Sequence, residues 1–394
     1  MVRLGDLFNF KNGRSFKKTE WVEAGLPIIR IQNLNNIDAG FNFFDGEYDS
    51  AIEVNRKDLL FSWSGTVGSS FGPHIWERDT GVLNQHIFKI SFRTDMILKY
   101  AYYSLLFITE EIERSVVGAV GLVHVTKKSL NEFKIPAPPI PEQERIVAIL
   151  DQAFADIELA RAKTEQNLKN ARELFESYLQ QVFSQRGEGW VESELFDHVK
   201  FIDYRGKTPK KTDQGLRLIT AKNVRMGYLK DNPQEFVAPD SYDDWMTRGI
   251  PNKGDVLFTT EAPLANVAQL DTDEKTVFAQ RIITMQPDPE VINSTFLKYM
   301  LMSQPIQKLI HDKGTGATCT GIKASLLKKI PIIYPSAIRE QGEYVDTLDS
   351  LTKKVNLLEG LYSEKLNALD ELKKSILQKA FSGELTKHKE GVAA

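Results

Sequence analysis

The chain has 394 residues, of which 42 % are hydrophobic and 26 % charged, with a net charge of −3 and one cysteine, Cys319. There is enough apolar material for two ordinary cores, while a single cysteine excludes an internal disulfide framework and a cysteine-rich zinc site. No run approaches the roughly 18 apolar residues of a membrane span and no basic leader opens the chain, so a cytoplasmic protein with no membrane partner is expected.

The first segment, Val2-Arg3-Leu4-Gly5-Asp6-Leu7-Phe8, reads as a short amphipathic element. It leads into a basic loop, Lys11-Asn12-Gly13-Arg14-Ser15-Phe16-Lys17-Lys18. Leu26 to Leu34 has strand composition, with Arg30 and Gln32 interrupting the apolar run on one face. Asp58 to Ser62 predicts a second strand, ending at Trp63-Ser64-Gly65-Thr66-Val67-Gly68, and Asn84 to Ile90 a third. Ile97 to Arg114 changes to a helical period, with Tyr100, Tyr103, Leu106, Phe107 and Ile112 on its apolar side. Leu130 to Pro136 predicts a closing strand that runs into prolines 136, 138, 139 and 141, a stiff connection.

From Glu142 to Gln185 apolar or small residues return in steps of three and four. They are Ile146, Leu150, Ala153, Ile157, Ala160, Thr164, Ala171, Leu174, Tyr178 and Val182, the seam of a long helix against another helix. Pro141 and the acids at 142 and 144 suit its start. Residues 142–184 would reach roughly 64 Å at about 1.5 Å per residue, too far for a helix wrapped into one compact domain.

The second half repeats this order. A shift of 198 positions places Glu142-Gln143 on Glu340-Gln341, Leu150-Asp151 on Leu348-Asp349, Ile157 on Val355, Thr164 on Tyr362, Ala171 on Leu369, Tyr178 on Ile376 and Phe183 on Phe381, without a gap. Upstream, the Gly206 loop answers the Gly13 loop, Leu216 to Val224 answers the strand ending at Asn33, and Gly254 to Thr259 answers the one from Asp58. Gln280 answers Gln85, Leu297-Lys298-Tyr299 answers Leu98-Lys99-Tyr100, and Lys329-Ile330-Pro331 answers Lys134-Ile135-Pro136. The offsets of these matches wander, so the helices keep one length while the domains differ. Corresponding loops also carry different side chains, Arg14-Ser15-Phe16 against Lys207-Thr208-Pro209 and Trp63-Ser64-Gly65 against Thr260-Glu261-Ala262. Two copies of one scaffold with different surfaces would read two different things. Whether the two helices pair parallel or antiparallel is open on these residues alone.

Catalytic chemistry is not visible. The histidines at 74, 86, 124, 198, 311 and 388 lack ligand spacing, and Gly316 to Lys323 is no phosphate loop, because Ile322 stands where lysine should follow glycine. Asp240 with Asp273-Glu274-Lys275 makes only a forced nuclease pattern. Ala137-Pro138-Pro139-Ile140 lacks the polar first and aromatic last residues of an adenine methyltransferase loop. Basic residues, by contrast, do cluster. From Lys200 to Arg225 eight lysines and arginines face only Asp203 and Asp213, a local net of +6 inside a near-neutral chain.

The two heads, the two registered helices, Leu4-Gly5-Asp6-Leu7, Leu26-Pro27-Ile28-Ile29-Arg30, and above all Ile135-Pro136-Ala137-Pro138-Pro139-Ile140-Pro141-Glu142-Gln143-Glu144-Arg145-Ile146-Val147 resemble the DNA-specificity subunit of a type I restriction-modification system. The likeness runs from residue 2 to about 386. The second helix start is degenerate, with Gly342 where Glu144 stands in the first, which should soften it.

The resemblance implies a mixed α/β (α+β) fold with target-recognition domains at 1–140 and 187–338. It implies conserved spacer helices at 141–186 and 339–386 that form an antiparallel coiled coil with pseudo-twofold symmetry, and a flexible tail at 387–394. Each domain would bind one half of an asymmetric, bipartite site in double-stranded DNA. The helices would set the gap and dock two modification subunits, which methylate adenine with S-adenosylmethionine. Restriction subunits using ATP and Mg would join for cleavage. This chain would bind no metal or cofactor and catalyse nothing. A coiled-coil scaffold that binds no DNA is the alternative, and a nuclease or methyltransferase acting alone a further one.

On physical grounds the expected phosphate or base contacts are Lys11, Arg14, Lys17, Lys18 and Arg30 in the first head and Arg205, Lys207, Lys210, Lys211, Arg217 and Lys222 in the second. Asn33 and Asn223, with Gln85 and Gln280, are candidates either for adenine contacts or for anchoring loops. The expected coiled-coil residues are Ile146, Leu150, Ile157, Thr164, Ala171 and Tyr178 on the first helix, and Leu348, Val355, Tyr362, Leu369 and Ile376 on the second.

Overall fold

The computed structural model describes residues 1–36, 38–65, 70–116, 123–184, 187–204, 208–278, 281–316 and 320–385. The chain divides into two compact units, one made of Met1–Thr164 with the chain from Glu364 onward, the other of Glu165–Ser363. The fold is mixed α/β, and each unit holds one head of sheet and helix together with part of both long helices. The tail expected at 387–394 lies outside the described residues.

In the first head, strands Phe8–Asn12, Ile87–Phe92, Leu59–Ser62 and Gly72–Ile75 lie side by side in that order, all antiparallel. A second sheet orders Asn42–Phe44, Leu26–Ile29, Gly81–Leu83 and Glu53–Val54, its middle pair parallel. Val2–Arg3 pairs with Lys134–Ile135, so the chain's start is fastened to the segment that enters the long helix. Helix Leu98–Val116 covers the first sheet. Its Ala101, Leu105, Ile108 and Ile112, spaced four, three and four apart, enter the core with Phe8, Phe10 and Phe61. Tyr100 and Tyr103, on another face, pack with Ile146, Leu150 and Ile157 of the first long helix and with Leu377, Ala380 and Phe381 of the second. One helix thus joins the sheet to both long helices.

The second head repeats the plan. Strands Val199–Asp203, Ile282–Pro287, Val256–Thr260 and Leu264–Gln269 form the first sheet. The second sheet again has a parallel pair, Leu216–Ile219 with Thr276–Phe278, and Trp190–Glu194 pairs with Pro331–Pro335. The covering helix is broken into Ser294–Met302 and Gln304–Asp312, because Pro305 fits only the first turn of a new helix.

Several expected elements differ. The strand from Leu26 stops at Ile29 and the chain turns into helix Ile31–Asn35. The cause is the Asn33 side chain, whose Oδ1 accepts the Arg30 backbone N–H at 3.1 Å and competes with the strand ladder. Asn223 does the same for Thr220 at 3.0 Å, ending Leu216–Ile219. The expected strand 130–136 starts instead as the end of helix Lys127–Glu132, capped by Thr126, and only Lys134–Ile135 is a strand.

The long helices run Ile140–Ser184 and Ile338–Phe381. The second begins four residues before Gly342 and runs through it without a break. Within the first unit Glu158 meets Lys373 at 2.9 Å and Arg161 pairs with Asp370, so one helix number rises as the other falls and the pairing is antiparallel. Within the second unit Arg172 with Glu359 at 2.5 Å, and Leu179 clustered with Leu348, give the same sense. Of the expected seam, Ile146, Leu150, Ile157, Thr164, Ala171, Leu348 and Val355 are buried, and Tyr178, Tyr362, Leu369 and Ile376 are half-buried. Leu174 is 58 % exposed, however, and Leu179 is buried in its stead. Ile146 and Leu150 also face the head's own helix, so the seam there is shared by three helices.

The Glu-Gln motif has a physical role in this arrangement. Gln143 is buried; its Oε1 accepts the Ile97 backbone N–H at 2.9 Å, while its Nε2 donates to the Pro138 carbonyl at 2.9 Å. Gln341 accepts from the Asn293 backbone N–H at 2.8 Å and donates to the Val291 and Pro335 carbonyls at 2.8 Å. Ile97 and Asn293 therefore correspond, which pairs Tyr103 with Tyr299 and Tyr100 with Phe296, three residues away from the match expected between Leu98-Lys99-Tyr100 and Leu297-Lys298-Tyr299. The contacts agree with the new register. Tyr103 and Tyr299 donate to Asp151 at 2.6 Å and Asp349 at 2.5 Å, whereas Tyr100 and Phe296 meet Phe381 and Phe183 at ring distances of 5.5 and 5.1 Å. Burial first, and then the bond to aspartate, push both tyrosine hydroxyls above their ordinary range and keep them donors. Each head is thus gripped by the start of one long helix and the end of the other.

Candidate nucleic-acid interface

In the first head the basic loop lies directly on the turn before strand Ile87–Phe92. Gly13 and Arg14 donate from their backbone N–H groups to the Ile87 and Leu83 carbonyls at 3.1 and 2.9 Å, and Gln85 donates to the Arg14 carbonyl at 2.9 Å. A Cβ on residue 13 would stand 2.0 Å from the Asn84 carbonyl oxygen, so only glycine permits this approach. The sequence candidates Arg14 and Gln85 are thereby brought together. Arg14 itself is occupied within the head, paired with Glu20 and set over Phe16 and Phe44 at 4.6 and 4.7 Å. Lys11 pairs with Asp49 at 2.7 Å, and Arg30 lies 5.8 Å from the Trp21 ring centre. Lys17 and Lys18 are exposed; the Lys17 backbone N–H donates to Glu20 Oε2 at 2.7 Å, but neither ammonium group pairs with an acid among the described residues, and the Gln85 side chain is also exposed.

In the second head Arg205, Lys207 and Gln280 lie outside the described residues. Lys211 pairs with Glu235 at 2.8 Å and Arg217 with Asp231 at 3.1 Å, so the local charge excess is partly neutralised by acids from a neighbouring stretch. Lys210 and Lys222 are exposed, with no ion pair among the described residues.

Asn33 and Asn223 take the loop-anchoring role and are corrected as adenine contacts. Both are buried, and their amides are spent inside the head. Asn33 Nδ2 donates to the Ala39 and Gly40 carbonyls at 3.2 Å. Asn223 Nδ2 donates to the Lys230 and Pro233 carbonyls at 3.0 Å, while its Oδ1 accepts from Thr220 Oγ1 at 2.9 Å.

The structure adds residues that composition did not single out. Trp63 lies between His86 and His124, at ring distances of 4.8 and 4.6 Å, and its Nε1 donates to Asn12 Oδ1 at 3.0 Å. In the second head Arg281 Nε meets Glu261 at 2.9 Å. The only signal in the sequence was the difference between Trp63-Ser64-Gly65 and Thr260-Glu261-Ala262, which said that the site varies but not that residues 86 and 281 complete it. Among the described residues no group of three or more histidines, cysteines and acids could hold a metal ion, and no helix is long and apolar enough to cross a membrane.

Comparison with known proteins places this arrangement. The chain is 22 % identical to the type I restriction enzyme EcoBI specificity subunit of Escherichia coli, over 98 % of this chain and 86 % of that one. It is 26 % identical to the MjaVIII specificity subunit of Methanocaldococcus jannaschii, over 98 % and 92 %. Two solved structures share the fold at 19 % identity. One, from work on complex assembly and conformational transition of the type I R-M system, has a TM-score of 0.77 with 97 % of each chain covered. The other, the HsdS subunit of Thermoanaerobacter tengcongensis, has a TM-score of 0.57 with 97 % and 96 % covered. The profile of the type I restriction modification DNA specificity domain matches twice, over residues 1–170 and 188–367. Matched in both halves, this chain belongs to the type I restriction modification DNA specificity family.

Proposed function

We propose that this chain is the non-catalytic, sequence-reading subunit of a cytoplasmic type I restriction-modification complex, each head binding one half of a bipartite, asymmetric site in double-stranded DNA. The observation that carries this is one framework present twice, with different side chains at corresponding loops: Trp63, His86 and His124 in one head, Glu261 and Arg281 in the other. A repeated frame with private surfaces suits two different half-sites. Two modification subunits carrying S-adenosylmethionine would methylate adenine in each half-site. Restriction subunits would bring ATP and Mg for cleavage, and this chain would need no cofactor. Leu159 and Leu372 in one unit, and Leu174, Leu357 and Leu361 in the other, are exposed on the long helices and supply apolar surface for the modification subunits.

Phosphate binding falls to the unpaired lysines. Charge reversal at Lys17 and Lys18, or at Lys210 and Lys222, is expected to weaken DNA binding by the assembled complex and to flatten its salt dependence by about one counterion per lysine that contacts phosphate. The matching reversal at Lys11 should do less, since Asp49 already neutralises it. Affinity and salt slope that do not move in either double variant would remove this assignment.

A further inference from the structure

The turn before the inner strand of the first sheet is built alike in both heads. Trp63 donates its backbone N–H to the His86 carbonyl at 3.1 Å, and Thr260 donates to the Arg281 carbonyl at 2.9 Å. Val125 then donates to Trp63, and Ile322 to Thr260, at 3.1 and 3.0 Å. Directly before that strand in both heads stands a non-glycine residue in left-handed backbone, His86 at φ 74° and Arg281 at φ 77°. Glycine would occupy that backbone without strain. The fold uses glycine at a left-handed turn at the far end of the adjacent strand, where Lys57 of the first head at φ 72° is answered by Gly254 at φ 90°. At the 86/281 turn neither head has accepted that relief. Both keep a large polar side chain, and the two side chains differ. Strain retained twice at one place, with the chemistry changed between copies, marks a position kept for what its side chain touches.

The surroundings are suited to contact. Arg281 is exposed and Glu261 engages it through Nε; its two terminal nitrogens make no hydrogen bond among the described residues and stand as a fork of donors. Such a fork matches the O6 and N7 acceptors of guanine in the major groove. His86 rests on Trp63; its Nδ1 is buried without a partner among the described residues, so Nε2 is the polar atom left to meet a ligand. Gln85, next to it, has an exposed side chain on the same turn.

We infer that His86 and Arg281 are the corresponding specificity-determining residues of the two heads, each meeting a base edge in its own half-site, with Arg281 selecting guanine; this rests on the DNA-reading role proposed above. His86 offers one hydrogen bond where Arg281 offers two, so the first head discriminates less sharply at its position than the second.

The test selects bound sites from a randomised duplex library, using the full chain assembled with its modification subunits, as wild type, His86→Gly and Arg281→Gly. Glycine removes the side chain and the backbone strain together, so both variants should melt no lower than wild type. Arg281→Gly is expected to lose roughly 10- to 100-fold of the preference for guanine at one position of one half-site, leaving the other half-site intact. His86→Gly should relax one position of the opposite half-site by a smaller factor. Should a glycine variant melt low, His86→Asn and Arg281→Asn, also tolerant of left-handed backbone, carry the same comparison. Preferences kept in full by the variants, or relaxed in both half-sites at once by either one, would overturn this assignment alone. A wild-type complex that selects no split sequence would overturn the DNA-reading role itself.

Discussion

A buried carboxamide has donors and acceptors to satisfy and no charge to shed, so a glutamine such as Gln143 is retained only where partners surround it. Replacing it with leucine keeps the volume and strands the Ile97 N–H and the Pro138 carbonyl that it now joins. Gln143→Leu is therefore expected to destabilise the first unit by about 2–4 kcal/mol, read by denaturant unfolding. Gln341→Leu should do the same to the second unit, and a loss below about 0.5 kcal/mol in both would show that the grip lies elsewhere. The Glu-Gln pair was legible in the sequence as a registered motif, but its work was not, because the partners Ile97 and Asn293 are distant in the chain. The same limit applied to Asn33 and Asn223. Their residue type offered both base contact and loop anchoring, and only burial chose between them. The ion pairs of the basic residues were hidden for a related reason. Asp49, Glu235 and Asp231, which neutralise Lys11, Lys211 and Arg217, sit outside the basic runs and could not be paired with them by sequence distance.

At the scale of elements, period and register carried far. The two long helices, the repeat between them and the helix from Leu98 were all visible in apolar spacing, because a helix buries a stripe that recurs every three or four residues. Short elements were visible only in part: strands Leu59–Ser62 and Ile87–Phe92 fall on expected runs, but elsewhere a capping side chain such as Asn33 or Thr126 outweighs strand composition over a few residues. The seam departs from the expected one at Leu174, where Leu179 is buried instead, packed with Leu348 and with Tyr299 of a third helix; a third helix meets the seam in the first unit too. That third contact has a consequence for stability. Phe381, at the end of the second long helix, is buried against Tyr100 and Phe107 of the first head, at ring distances of 5.5 and 5.1 Å. Phe381→Ala is expected to cost the first unit about 3–5 kcal/mol and leave the second unchanged, as read by hydrogen exchange in helices Leu98–Val116 and Ser294–Met302. Equal loss of protection in both helices would contradict a grip confined to one head.

For the whole molecule, the repeat is the fact from which function follows. One framework is present twice, and the long helices keep a matched length while the heads differ in loop chemistry. In the proposed account those helices act as a spacer. One turn taken from the middle of each removes roughly 5.4 Å, more than one base-pair step of about 3.4 Å. The most direct measurement maps methylated adenines in DNA from cells carrying this chain with its modification subunits, as wild type and with that matched deletion. One split motif is expected for the wild type, and the same two half-sites around a shorter gap for the deletion. A contiguous motif, or methylation without sequence preference, would contradict it.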